Sequence, residues 1–193
     1  MLSKFVLMIT FLSSAMANAA LPRCDVLAES GPSQLIQYLK DGKTGTSNPA
    51  CVEYAIKRLG DAKMVEALPM LASYLVFHRP ETEREKMGMG GAIETPGNDF
   101  PAISAISQMG RPALPTLVHV IEEEQSGSQA SQNAGYAVVK ILNSRLDAIR
   151  FLKRSAAAAK SSQAQQRLSD ATQQVLTWCH TTERTACESA LLK

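Results

Sequence analysis

The sequence predicts an all-α fold: a short solenoid of antiparallel helix pairs, about three to four repeats long, with capping helices at both ends. Three observations predict it. Apolar residues recur at i, i+3, i+4 and i+7 from about residue 33 onward, and no stretch sustains the period-two alternation of a strand. Helix starts and stops fall at residues with a physical reason to be there. The same arrangement of alanine, apolar and polar positions then returns further along the chain. The composition agrees: 193 residues with 45% hydrophobic and 20% charged side chains suit one globular domain, here residues 20–193, and exclude wholesale disorder. Aromatics at 5% and a net charge of +2 argue against a nucleic-acid-binding surface.

The first nineteen residues read as a cleaved secretory signal. Lys4 is a short positive region, Phe5 to Leu12 an apolar run of eight, and Ala17-Asn18-Ala19 an A-x-A cleavage site, with Ala15-Met16-Ala17 as the alternative. The run is too short to span a bilayer, and no later run approaches that length, so no transmembrane segment is expected in the mature chain. Cys24 lies three residues after Leu21, but Pro22 and Arg23 stand where a lipoprotein signal needs small residues. The expected location is therefore a periplasm or the extracellular space.

Export bears on the four cysteines, Cys24, Cys51, Cys179 and Cys187. In an oxidising compartment an even count implies disulfides, and four cysteines allow three connectivities. The local solution, Cys24–Cys51 and Cys179–Cys187, ties each chain end to a neighbouring helix. Zinc is the competing reading, but Cys179-His180 and Cys187 lack a C-x2-C or H-x3-H partner. No C-x-x-C redox pair occurs.

The elements follow in order. Ser33 to Lys40 is half a repeat, with Leu35, Ile36 and Leu39 facing inward, and residues 42–47 are a connector. Asn48-Pro49 opens the next helix, since Asn is a good N-cap and proline suits the first turn. Its stripe is Val52, Ala55, Ile56 and Leu59, and Gly60 is its expected stop. The following helix begins after Asp61, carries Leu68, Leu71, Ala72 and Leu75, and ends at His78, with Pro69 expected to kink it or split off a short first segment. Residues 78–99 form an insert, too long for an ordinary helix connection and therefore a binding or mobile loop. Pro101 opens a helix with Ala102, Ala105, Ile106 and Met109, stopped by Gly110. Its partner carries Leu114, Leu117, Val118 and Ile121. A third copy has Ala134, Ala137, Val138 and Ile141, with Asn143 as a left-handed stop, followed by a helix from Arg145 with Leu146, Ile149 and Leu152 inward. Gln163 to Trp178 and Glu183 to Leu192 are the closing helices, serving as the caps a solenoid needs.

The copies align residue by residue. Ala55, Ala105 and Ala137 share one position, and Ile56, Ile106 and Val138 the next. Ala67-Leu68-Pro69-Met70-Leu71 matches Ala113-Leu114-Pro115-Thr116-Leu117. A small residue at a fixed place lets stacked helices approach closely. On Ala55-Ile56-Lys57-Arg58-Leu59-Gly60-Asp61 and Ala105 to Pro115, the pattern resembles the HEAT-repeat family in its short bacterial, HEAT-like form. The likeness covers about residues 49–77 and 100–125, and more loosely 130–159. Repeat spacing departs from it, with 50 residues from Gly60 to Gly110 but 33 from Gly110 to Asn143, and the third copy lacks the Gly and the Leu-Pro.

No G-x-S-x-G, H-E-x-x-H or P-loop motif is present, and the three histidines, His78, His119 and His180, each have an ordinary structural place. No catalytic residue and no cofactor is assigned. Met87-Gly88-Met89-Gly90-Gly91 lacks the Lys-Ser/Thr of a phosphate loop, and Met87 and Met89 with His78 are the only set that a copper(I)-handling role could use. Charge is the clearest surface feature. Residues 140–167 hold seven basic residues (Lys140, Arg145, Arg150, Lys153, Arg154, Lys160 and Arg167) and one acid, whereas Glu81 to Glu124 holds eight acids and three bases. The basic segment would suit an acidic partner or an anionic envelope surface. The resemblance implies a non-enzymatic interaction or scaffold module, with a protein partner bound along the second helices of the pairs. Ser73, Phe77, Thr116, His119, Glu123, Arg150 and Lys153, the positions left off the apolar stripes, are its contact candidates. The alternative it implies is a ligand- or metal-handling protein, or a lyase like the HEAT-like enzymes that attach bilin chromophores.

Overall fold

In the computed structural model of the protein, residues 24–42, 47–88 and 95–192 are described. The proposed signal segment, the middle of the 42–47 connector, and Met89 to Gly91 lie outside these residues. The described chain forms helices α1 (Asp25–Ala28), α2 (Pro32–Gly42), α3 (Pro49–Asp61), α4 (Leu68–Ala72), α5 (Glu83–Lys86), α6 (Pro96–Asp99), α7 (Pro101–Met109), α8 (Leu114–Glu123), α9 (Gln129–Leu142), α10 (Arg145–Ala158), α11 (Ser162–Thr177) and α12 (Arg184–Leu192), and no strand.

The helix starts follow local chemistry. Asn48 Oδ1 accepts from the Ala50 amide at 3.0 Å, with Pro49 at the first helical position. Ser128, Ser144 and Ser161 cap α9, α10 and α11 in the same manner, satisfying amides that have no partner within their helices. Pro69 and Pro115 each fall in the first turn of an α-helix that follows a 3-10 turn, Val65–Ala67 or Arg111–Ala113. This is the split anticipated at Pro69. Gly110 (φ 69°) and Asn143 (φ 50°) end α7 and α9 as expected.

Two ends differ from the sequence reading. Helix α3 does not stop at Gly60 but runs to Asp61, and the left-handed residue is Lys63 (φ 50°). Gly60 is instead the place where α3 touches α7. Helix α4 stops at Ala72, well short of His78. Residues 73–75 continue in tight turns, with amide bonds from Ser73, Tyr74 and Leu75 back to Met70, Leu71 and Ala72, so Leu75 is still fully buried.

The core runs through Leu39, Ile56, Leu59, Leu71, Leu75, Ile103, Ile106, Leu117, Ile121, Ile149, Leu152 and Leu168, all buried. Ala55, Ala105 and Ala137, the aligned small residues, are buried at the helix contacts as well. Of the expected inward residues, Ile36, Val118, Ile141 and Leu146 are half-buried and pack on the edge of this core, and Ala72 is half-buried and faces an outer groove instead. The first helices stack in sequence, α3 on α7 and α7 on α9, and α4 lies beside α8. The order then breaks. Helix α10, expected as the second helix of a third pair, still touches α9 but packs most extensively on α11, and it is α11 that lies against α8. Two polar contacts tie distant parts together. Tyr74 Oη donates to the Leu39 carbonyl, and Asn133 Nδ2, in α9, donates to the Leu75 carbonyl at 2.6 Å.

The cysteines pair in the local connectivity, Cys24–Cys51 and Cys179–Cys187. The first holds α1 to α3, and the second holds the turn after α11 to α12. Among the described residues no helix is long and apolar enough to cross a membrane.

Candidate functional site

The displacement of α10 divides the seven candidate contact residues. Ser73, Thr116, His119 and Glu123 come together in a groove of about 840 Å³. One wall is Pro69, Ala72, Ser73 and Val76, and the other is the outward face of α8 with the first residues of α9. The α8 residues Thr116, His119 and Glu123 are spaced i, i+3, i+7, which places them on one stripe. The opposite stripe, Leu114, Leu117 and Ile121, is in the core. The groove is mostly apolar, and Val76 leaves 53% of its surface in water.

One end of the groove is strongly negative. Glu123 and Glu124 line it at the C-terminus of α8, with Glu122 beside them. A helix C-terminus carries the negative end of the backbone dipole, so three carboxylates stand where cations are favoured. The Arg167 guanidinium reaches this end but donates to the Glu122 backbone carbonyl at 2.5 Å, and neither Glu123 nor Glu124 makes an ion pair among the described residues.

Phe77 lies outside the groove lining. Its half-buried ring packs edge-on against Tyr74, with centroids 5.9 Å apart. Arg150 and Lys153 lie in a separate cleft between α10 and α12. Most of the basic segment, these two included, is engaged within the chain. Lys140 donates to Ser104 Oγ at 2.9 Å, Arg145 pairs with Glu183 at 3.4 Å, Arg150 with Asp147 at 3.3 Å, and Lys153 donates to the Leu191 carbonyl.

Where it is described, the insert folds back on the body. Thr82 and Glu85 form a reciprocal capping box that starts α5. The Thr-x-x-Glu spacing carries this signal in the sequence, within the segment expected to be a binding or mobile loop. The Arg79 guanidinium donates to both Glu85 oxygens at 2.5 and 2.8 Å, and the Asp99 carboxylate is 3.8 Å away. The Arg79 amide also bonds the Asp99 carbonyl at 2.9 Å, joining the two ends of the insert. A polar groove of about 730 Å³ lies between the insert and the outer faces of α3 and α7, lined by Lys57, Arg79 and Arg84 together with Glu53, Asp61 and Glu85. Its charges are balanced, and the Arg79 guanidinium holds the Glu85 carboxyl well below the usual carboxylate range. Glu85 is therefore a fixed anion and no proton donor near neutrality.

His78 packs edge-on against Phe100, and its Nδ1 lies 2.7 Å from the Arg79 carbonyl. Met87 is exposed, and Met89 lies outside the described residues. Among the described residues, no three His, Cys, Asp or Glu side chains gather where they could hold a metal ion.

The fold and groove define an all-α protein of packed helix pairs with an apolar, acid-ended channel between successive second helices. No protein-family model matches the chain, and neither a curated protein nor a solved structure does.

Proposed function

We propose that the protein is an exported, non-enzymatic HEAT-like repeat module that binds another protein through the groove between α4, α8 and the start of α9. The observation that carries this reading is the groove itself. Four of the residues that a solenoid would offer to a partner line one channel, whose walls expose apolar surface and whose end carries carboxylates that form no ion pair among the described residues. The matching partner is a protein segment with an apolar face and a Lys or Arg at one end. Apolar burial would supply most of the affinity, and the glutamates the orientation. The residue-by-residue alignment of the pairs at Ala55 and Ala105 supports the repeat assignment. The A-x-A signal pattern and the two disulfides support export. The same reading makes the chain a scaffold for that partner rather than a catalyst.

The test places a photo-cross-linking residue at Thr116 of the signal-processed protein in its native envelope. One dominant adduct, mapped to an apolar segment bearing a basic residue and lost on E123R/E124R, is the expected result. Adducts only with itself, or none, would overturn the reading.

A further inference from the structure

Outside the groove, the cleft between α10 and α12 has a chemistry of its own. Arg150, Lys153 and Arg154 project from α10 at i, i+3 and i+4, so they share one side of the helix. Opposite them, α12 presents Ala186, Ser189 and Ala190, and Ala157 completes a depression of about 370 Å³. Cations line one side, alanines make up most of the remaining surface, with Ala190 buried at its base, and no acid is among the described residues that line the cleft.

The surrounding carboxylates are already paired. Asp147, the one acid on α10, contacts Arg150 at 3.3 Å with both side chains more than half exposed. Such a pair is weak and easily exchanged for a better one. Glu188 of α12 pairs with Arg184 at 3.0 Å and Glu183 with Arg145 at 3.4 Å, and neither is among the residues that line the cleft. Arg154 pairs with no described residue. Three like charges within one helical turn repel each other, and an anion between them relieves that repulsion.

The cleft's walls are held in place. Lys153 donates to the Leu191 carbonyl near the end of α12, and the Cys179–Cys187 disulfide ties α12 back to the end of α11. A wall fixed at two points needs little ordering when a ligand arrives, which lowers one cost of binding.

We propose that this cleft binds a small anionic amphiphile, with a phosphate or carboxylate head between Arg150, Lys153 and Arg154 and an aliphatic stem over Ala157, Ala186 and Ala190. Arginine's planar fork suits such a head, and the alanine floor leaves room for a chain of methylenes where larger side chains would close it. An acidic protein segment matches the cations but has no use for a narrow apolar floor.

The experiment is calorimetric titration of the oxidised protein with octyl phosphate below its micelle concentration, alongside inorganic phosphate, octyl glucoside and a hexaglutamate peptide. Saturable binding of octyl phosphate, with each comparator at least tenfold weaker, is expected. R154E and A186L should each weaken it at least tenfold, the first by reversing a charge and the second by filling the floor. Both positions are exposed, so both variants should keep the wild-type melting curve. The charge-conserving R154K is run beside them and should retain most of the affinity. No saturable binding to the wild type, equal binding by inorganic phosphate or a hexaglutamate peptide, or full binding by R154E and A186L would overturn the proposal. Co-sedimentation with phosphatidylglycerol vesicles, lost in R154E, would support it with a membrane lipid as the source. Octyl phosphate binding without co-sedimentation would support it with a free amphiphile.

Discussion

Gly60 and Ala105 meet at the crossing of α3 and α7 so closely that a β-carbon on Gly60 would lie 2.6 Å from the Ala105 α-carbon and 2.7 Å from its β-carbon. The clash is with backbone, which no rotamer change relieves. Two effects oppose each other in Gly60→Ala. Helix propensity favours alanine by about 1 kcal/mol. Overpacking a helix contact costs about 1–3 kcal/mol, and here it forces two helices apart. The clash wins, and G60A should lower the urea midpoint. An unchanged or raised midpoint would mean that the two helices part there at little cost. Gly110→Ala should also destabilise, but for a different reason: a β-carbon there meets nothing, and the cost lies in its backbone (φ 69°, ψ −148°).

Asn133 is almost fully buried, and its amide supplies the Leu75 carbonyl with a hydrogen bond between segments 58 residues apart. Asn133→Ala would leave that carbonyl buried without its partner, at a cost of about 1–3 kcal/mol. Chemical denaturation should show the loss. Hydrogen exchange should show faster opening of residues 73–77 than of α3, whereas uniform acceleration would place the effect elsewhere.

The two disulfides close loops of different length, with sequence separations of 27 and 8. In the chain-entropy model they stabilise the fold by about 3.5 and about 2.5 kcal/mol. Reductant should therefore lower the melting temperature, and C24S/C51S should lower it more than C179S/C187S. Superimposable melting curves with and without reductant would show that the bridges do not form in solution.

The Arg79–Glu85 pair makes the insert acid-sensitive. Its guanidinium lowers the Glu85 carboxyl far below the ordinary range, and the carboxylate in turn raises Arg79, which stays charged throughout. A carboxyl depressed in the folded state adds stability that is fully present above its unfolded value of about 4.3. That stability is lost as pH falls toward the folded value. Glu85→Gln should flatten the fall in melting temperature between about pH 5 and pH 2, and leave its salt dependence smaller at pH 7. Parallel wild-type and E85Q profiles would show that the pair carries no folded-state preference.

In the groove, Thr116→Trp should block the partner by filling the channel, because Thr116 is half-buried within its lining. Phe77→Ala should act on stability instead, since its ring packs on Tyr74 rather than in the channel. Pull-down of the cross-linked partner, measured beside melting temperature, separates the two. Partner loss in F77A without a change in melting would move the binding face to the insert side.

The all-α class, most helix starts and the two disulfides were legible because each depends on residues close in the chain. Asn48 caps its own helix, Gly110 turns its own backbone, and Cys179 reaches a cysteine eight residues on. The amphipathic stripes were legible too, since periodicity alone tells which face is buried. What escaped depends on contacts between distant segments. Gly60 looked like a helix stop, because a glycine that ends a helix and one that admits a neighbouring helix read alike until Ala105 is beside it. The seven contact candidates looked like one surface because the third pair was assumed to stack like the first two. That choice between α10 and α11 against α8 is made by side-chain fit across three helices, which no local pattern encodes. Tertiary packing thus divided one expected face into an apolar, acid-ended groove and a cationic cleft.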